Sequence, residues 1–407
     1  QSFDSNGPDI KVRGNAQQVV DKYQALAREA STAGDPVMAE NYYQHAEHYF
    51  RVLNANGGGD NRQGNRSPDN NNNGERDNGN GADDNRQQTN GAASDGAPAP
   101  APPAAAAVAN GAAAVAEGYA DCVVVFRALA QGQFRRFGQG APDPTVSGDA
   151  AYMSPYGVMS PSQKYAMRAT RFMHDYGVHR DVLKAIAMTS YQHAQNNPRA
   201  VMHGRPLDAE TYDDSRWIVE PVNRLFDCCQ ENDGAAALIL VSAERAKDLK
   251  QKPVYLLGAA QGSDHRCGAP VMNASNFRSS SFATVAPRLY QTAGVTAADI
   301  DVLQSYENFT TGVMMAVVEH GFCAPEECNE FFTLENLAAP DGKMPLNTSG
   351  GNLAECYMHG LGLQLEAVRQ LRGQSCNQVE GAKLAMNIAG PMVTPVSSLI
   401  MGSEETL

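Results

Sequence analysis

The sequence predicts an α/β fold, and three observations carry the prediction. Short apolar or β-branched runs at 123–126, 233–244, 252–260 and 301–304 read as strands. Between them lie amphipathic stretches of helical length, several ending at a glycine. Strands that alternate with helices imply a mostly parallel sheet covered on both faces. The fold class expected is α/β, preceded by a helical hairpin and a disordered linker.

The elements follow in order. Residues 12–54 read as two helices. Val19, Tyr23, Leu26, Ala27 and Ala30 make one stripe. Gly34, Asp35 and Pro36 suit a stop, an N-cap and a first helical position. Met38, Tyr42, Tyr49, Phe50 and Leu53 belong to the second helix. Residues 55–103 are an Asn/Gly tract and then Ala-Pro repeats. With almost no apolar side chain, such a tract cannot offset about 1–2 kcal/mol of backbone ordering per residue. The alanine-rich run 104–120 is a helix ending near Gly118. The runs at 123–126 and 233–244 read as buried strands. Residues 161–176, 181–195, 282–293 and 309–320 are helices, and Leu361, Leu365, Val368 and Leu371 mark another. AKLAMNIAG and VSSLIMG form a closing hairpin. Four domains are expected: 1–54, 55–103, 104–250 and 251–407.

Composition narrows the function. Of 407 residues, 45 are acidic and 32 basic, a formal charge of −13. That argues against a large nucleic-acid footprint. No apolar run reaches the ~20 residues of a membrane helix. Eight cysteines never fall in a CxxC spacing, so a structural zinc site is not expected. No charged-then-apolar leader pattern is present, and a reducing cytoplasm is the expected compartment. Cys228–Cys229 read as packed thiols, Cys323 and Cys328 fit neither zinc nor iron–sulfur, and His45 with His48 reads as a polar helix edge. Trp217 has no chemical context in the sequence.

Four segments carry a resemblance: AVAEGYADCVVVFRAL (114–129), DCCQENDGAAALILVSAERA (227–246), SYENFTTGV (305–313) and NTSGGNLAECYMHGLGLQLEAVRQLRG (347–373). From about residue 104 onward the chain resembles the thiolase superfamily. Within it, the match is to the lipid-transfer-protein branch, which includes the steroid side-chain aldolases. FDSNGPDIKVRG with AENYYQHAEHYFRVLN resembles a bacterial domain of unknown function. The resemblance implies a layered α/β/α/β/α fold, incomplete here because a further stretch of sheet and helix normally precedes residue 104.

The resemblance also locates the chemistry. A thiolase nucleophile is a Cys at the start of the helix that runs into a Gly-x-Ala-Asp turn. Here that turn is Gly118 to Asp121, and counting back one helix reaches 101–105, which holds no Cys. Cys122 follows the helix and reads as structural. The family's Asn-Glu-Ala-Phe motif is Tyr306-Glu307-Asn308-Phe309. Gly350 and Gly351 match the paired glycines, Tyr357 stands at the motif histidine, and Asn387 stands at the second cysteine. Two tyrosines therefore occupy positions that face one reacting carbon in a thiolase. A phenol transfers protons, and the resemblance implies retro-aldol cleavage of a β-hydroxyacyl-CoA with Tyr306 and Tyr357 as acid and base. Glu307, Asn308, Gly350, Gly351 and His359 are the candidate substrate-binding residues.

Two other readings stay open: a β-ketoacyl-CoA thiolase of the lipid-transfer type, and an inactive scaffold. No metal and no cofactor are expected, since the coenzyme A thioester is the substrate. The resemblance implies an OB-fold partner with a zinc ribbon, and a homodimer or a hetero-oligomer that completes the first half-domain.

Overall fold

The computed structural model describes residues 3–6, 10–33, 35, single positions between 38 and 49, 104–131, 150–158, 160–264, 276–392 and 394–407. The expected linker at 55–103 lies outside them, as do Gly34, Pro36, His48, Phe50 and Leu53. The chain forms two compact units, residues 1–85 and 86–407.

The first unit opens with a hairpin that the sequence reading missed. Strands β1 (Phe3–Asn6) and β2 (Lys11–Gly14) pair antiparallel. Helix α1 (Ala16–Thr32) follows, as its apolar stripe predicts. Asn15 and Gln18 close its start reciprocally, each side chain accepting the other's backbone N–H at 2.9 Å. Val19, Tyr23, Leu26 and Ala27 bury against Val12, Tyr42 and Ala46. Asp35 accepts the Met38 N–H at 2.9 Å, the N-cap contact expected of it. His45 stacks on Tyr23, with ring centroids 5.1 Å apart.

The second unit is built on a four-stranded sheet. Helix α2 (Ala104–Ala116) and strand β3 (Cys122–Ala130) come first. Helices α3 (Pro161–Tyr176) and α4 (Asp181–Gln195) follow. Ser160 and Gln163 form a capping box at the start of α3, and Gly177 ends it at φ 63°. Strands β4 (Trp217–Val219), β5 (Asn223–Arg224), β6 (Asp233–Val241) and β7 (Tyr255–Gly262) precede helix α5 (Val285–Ala293). Then come β8 (Val302–Ser305), α6 (Thr310–Glu319), α7 (Leu361–Arg372), β9 (Leu384–Ala389) and β10 (Val396–Gly402).

The main sheet runs β7-β10-β9-β8. Only β8 and β9 pair parallel, and β10 is antiparallel to both of its neighbours. This corrects the expectation of a mostly parallel sheet. A short connection joins β9 to β10, and such a connection permits only an antiparallel pair. Helices α3, α4, α5 and α6 bury one face of the sheet, with Phe172, Ile186, Leu289 and Met315 in the core. Helices α2 and α7 cover the other face through Val108, Leu361 and Leu371.

Beyond α2 and α7, β3 and β6 form an antiparallel ribbon. Their inner residues Val125, Leu129, Leu238 and Leu240 pack on the helices. Their outer residues do not pack: Val124, Phe126 and Ile239 are 56%, 70% and 66% exposed. Both strands were expected to be buried, so this too is a correction. A continuous apolar run reads as two-sided burial, whereas here only alternate side chains are covered.

Trp217 has a defined setting. The guanidiniums of Arg180 and Arg224 lie 4.5 and 4.1 Å from its ring centroid. The Arg224 N–H donates to Asp227 at 2.7 Å. Buried Asp227 in turn accepts the Thr310 hydroxyl at 2.8 Å, at the first residue of α6.

Candidate active site

The segment Tyr306 to Phe309 leaves the C-terminal end of β8 and enters α6. The Tyr306 N–H donates to the Ile388 carbonyl at 2.9 Å, so the β8–β9 ladder fixes its backbone. Tyr357 arrives from a π-helical turn, Gly351–Glu355, and its N–H donates to the Asn232 carboxamide at 3.0 Å. The two phenols meet edge to face with centroids 6.1 Å apart. Their hydroxyls are 2.8 Å apart. Leu363 and Cys229 pack around the pair. Burial, together with the neighbouring phenol, pushes Tyr306 well above the ordinary tyrosine range.

Gly360 leaves room for the Tyr306 ring, and Gly351 for the Glu307 carboxylate. A Cβ at Gly360, whose φ is 86°, would sit 2.7 Å from the Tyr306 ring. Ala104, the first residue of α2, lies beside the same point. A Cβ at Gly351 would overlap the Glu307 carboxylate, and φ there is 59°.

Glu307 is wholly buried. Its carboxylate accepts the Asn352 N–H at 3.0 Å and the Ser190 hydroxyl at 3.2 Å. Burial raises its pKa to about 8 despite those donors. Glu307 thus ties the turn after Gly350 and Gly351 to α4. Asn308 accepts the Cys229 N–H on its backbone carbonyl at 2.9 Å, and its side-chain oxygen accepts the Phe309 N–H at 3.0 Å. His359, at φ 48°, packs edge-on against Tyr357 with centroids 4.9 Å apart. Asn387 lies buried on β9, and neither of its amide atoms has a partner among the described residues. Cys122 is exposed at the start of β3.

The structure therefore brings Tyr306, Tyr357 and His359 together, with Asn308, Glu307, Gly350 and Gly351 as the surrounding brace. The sequence reading missed Arg127 and Asn232; Cys229 is the packed thiol it was read as, against the two tyrosines. Arg127 of β3 reaches across to His359, Nη2 to Nδ1, at 2.5 Å. One signal for it was present: Arg127 is the sole charge in the apolar run CVVVFRALA, and a charge in such a run needs a partner. Among the described residues, no group of three or more His, Cys, Asp or Glu side chains could hold a metal ion. No helix among them is long and apolar enough to cross a membrane.

Residues 261–403 match the thiolase C-terminal domain-like family, and residues 1–59 match the domain of unknown function DUF4167. The 17-hydroxy-3-oxo-4-pregnene-20-carboxyl-CoA lyase of Mycobacterium tuberculosis is 38% identical over 305 residues, which is 72% of this chain and 78% of that one. The steroid side-chain-cleaving aldolase of Thermomonospora curvata is 39% identical over 307 residues, 73% and 77% of the two chains. The chain belongs to the thiolase superfamily, in its aldolase branch. Among solved structures, the Ltp2-ChsH2(DUF35) aldolase superposes with a TM-score of 0.67 at 38% identity, covering 74% of this chain and 77% of that one. Within this thiolase-superfamily chain, the tyrosine pair lies in the segment that joins β8 to α6 and in the turn before α7, both inside the region of family likeness.

Proposed function

We propose that the protein cleaves a β-hydroxyacyl-CoA by a retro-aldol reaction. The observation that carries the proposal is the 2.8 Å contact between the Tyr306 and Tyr357 hydroxyls. The substrate hydroxyl gives its proton to one phenol oxygen. That phenol passes its own proton to the second, and the second protonates the α-carbon. Meanwhile the bond between the α- and β-carbons breaks, and its electron pair goes to the α-carbon side. The β-carbon becomes a carbonyl, and the α-carbon leaves as a shorter acyl-CoA. Both tyrosines end neutral. Burial that disfavours a phenolate suits a relay that never leaves one behind.

The substrate class follows from the relatives. In a 17-hydroxy-20-carboxyl-CoA steroid, the hydroxyl is β to the thioester, so the reaction releases a 17-ketone and propionyl-CoA. The reaction as written asks for no cofactor of the protein's own. An OB-fold partner with a zinc ribbon belongs to this reading, supported by the solved Ltp2-ChsH2(DUF35) assembly, as does dimerisation. The setting proposed is the cytoplasm.

The test is incubation of the full chain, alone and with an OB-fold partner, with 17-hydroxy-3-oxo-4-pregnene-20-carboxyl-CoA and, separately, with a β-ketoacyl-CoA plus free coenzyme A. Release of propionyl-CoA from the first supports the proposal. Thiolysis of the second, or no turnover of either, refutes it.

A further inference from the structure

His359 presents a hydrogen-bond donor that none of the described residues uses. A guanidinium has five N–H donors and no acceptor. Arg127 Nη2 lies 2.5 Å from His359 Nδ1, so Nδ1 must offer its lone pair. In the neutral ring the proton then sits on Nε2. Burial, with Arg127 adding to it, lowers the His359 pKa to about 4, so the ring is neutral near pH 7. Nε2 is buried and has no partner among the described residues. Leaving such a donor unpaired is costly. The backbone carries a cost as well, since His359 sits in the left-handed region at φ 48°. The ring that carries this donor packs on Tyr357, one half of the proton-transfer pair.

We propose that His359 Nε2–H donates to the thioester oxygen of the bound acyl-CoA as that oxygen gains enolate charge, and that Arg127 is a positioning residue that holds the ring in the Nε2–H tautomer. The inference rests on the retro-aldol reading and adds a residue to it. When the bond between the α- and β-carbons breaks, the electron pair delocalises from the α-carbon onto the thioester oxygen. A fixed donor at that oxygen acts more strongly on the transition state than on the ground state. A neutral imidazole does this without surrendering its proton, leaving proton transfer to the tyrosines. Arg127 belongs to β3 and His359 to the turn before α7, so the contact also ties the ribbon to the site.

The test has two arms, both on the full chain. The first is nitrogen-15 NMR of the protein labelled at its nine histidines, with His359 assigned by its absence from the His359→Asn spectrum. The proposal requires a protonated, pyrrole-type Nε2 and a bare, pyridine-type Nδ1 near pH 7. It also requires that this pattern become a tautomer mixture in Arg127→Met. The opposite tautomer, or a spectrum unchanged in Arg127→Met, overturns the proposal. This arm needs no turnover.

The second arm is cleavage of 17-hydroxy-3-oxo-4-pregnene-20-carboxyl-CoA. Asparagine tolerates a left-handed backbone, yet its amide is too short to reach the Nε2 position. His359→Asn should therefore fold, and should lower kcat by roughly 10²–10³ with little change in KM. Glutamine places an N–H near Nε2, so His359→Gln should stay within about 10-fold of the parent, and Arg127→Met should fall in between. Equal loss in the Asn and Gln variants, or loss confined to KM, overturns the proposal. If the unsubstituted protein and its Tyr357→Phe variant are equally inert, the retro-aldol reading fails and takes this role with it. If only the tyrosine variant is inert and His359→Asn is fully active, the reading stands and this role is refuted.

Discussion

The Tyr306 hydroxyl lies 2.8 Å from the Tyr357 hydroxyl, so in the resting protein one phenol donates to the other. Each partner comes from a different part of the fold, one from the end of β8 and one from the turn ahead of α7. A substrate hydroxyl must enter this pair, and it finds a proton path already joined at the middle.

Removing either link should break the path. Tyr357→Phe should reduce kcat by roughly 10²–10⁴, the usual worth of a positioned acid or base. Tyr306→Phe should do the same. The double variant should be hardly slower than either single one, because residues that act as one unit are not additive. Steady-state cleavage rates of the three variants check this, and a multiplicative loss in the double variant would contradict a shared relay.

Cys122→Ala should leave the cleavage rate nearly unchanged. Cys122 is exposed at the start of β3, opposite Val241 in the ribbon. The proposed reaction forms no acyl-enzyme. A dead Cys122→Ala alongside an active Tyr357→Phe would point to thiolase chemistry instead.

Glu307 makes stability depend on pH. Its folded pKa, raised to about 8 by burial, lies above the ordinary glutamate value near 4.3. The folded state therefore holds a proton that the unfolded chain releases. This contribution is intact below about pH 4 and drains away as pH rises through about 8, at about 1.4 kcal/mol per unit of pKa difference. Urea unfolding at pH 5 and pH 8 should show the decline in the parent protein and a flatter profile in Glu307→Gln. Identical slopes would count against a buried, proton-holding Glu307.

Gly351→Ala should be far worse than Gly373→Ala. Both glycines have positive φ, 59° and 71°. A methyl at Gly373 meets nothing within 4 Å, whereas at Gly351 it meets the Glu307 carboxylate. The first change should cost roughly 3 kcal/mol or more and the second about 1 kcal/mol. Denaturant midpoints measured side by side decide it.

Helices were legible wherever an apolar stripe ended in a cap, as at Ser160 to Gly177. The tyrosine pair was legible through motif positions rather than periodicity. What escaped was whatever depends on distant chain. Arg127 and His359 are 232 positions apart, and no local pattern couples them. The ribbon misled for a related reason: CVVVFRALA is apolar on both faces, and only the fold shows that Val124 and Phe126 face outward. The β1–β2 hairpin escaped because FDSN and KVRG carry no clear alternation of apolar and polar residues.

Trp217 gives the molecule an optical handle. It is the chain's single indole, so all tryptophan emission comes from one place. Two guanidiniums rest against it, and one of them belongs to Arg224, whose backbone holds Asp227. Asp227 grips Thr310, four residues after Tyr306. A shift of the Tyr306 segment that reaches Thr310 is passed through Asp227 to the Arg224 backbone and alters the cation contact on the ring. Tryptophan intensity during titration with acyl-CoA then follows the motion of that segment without any label.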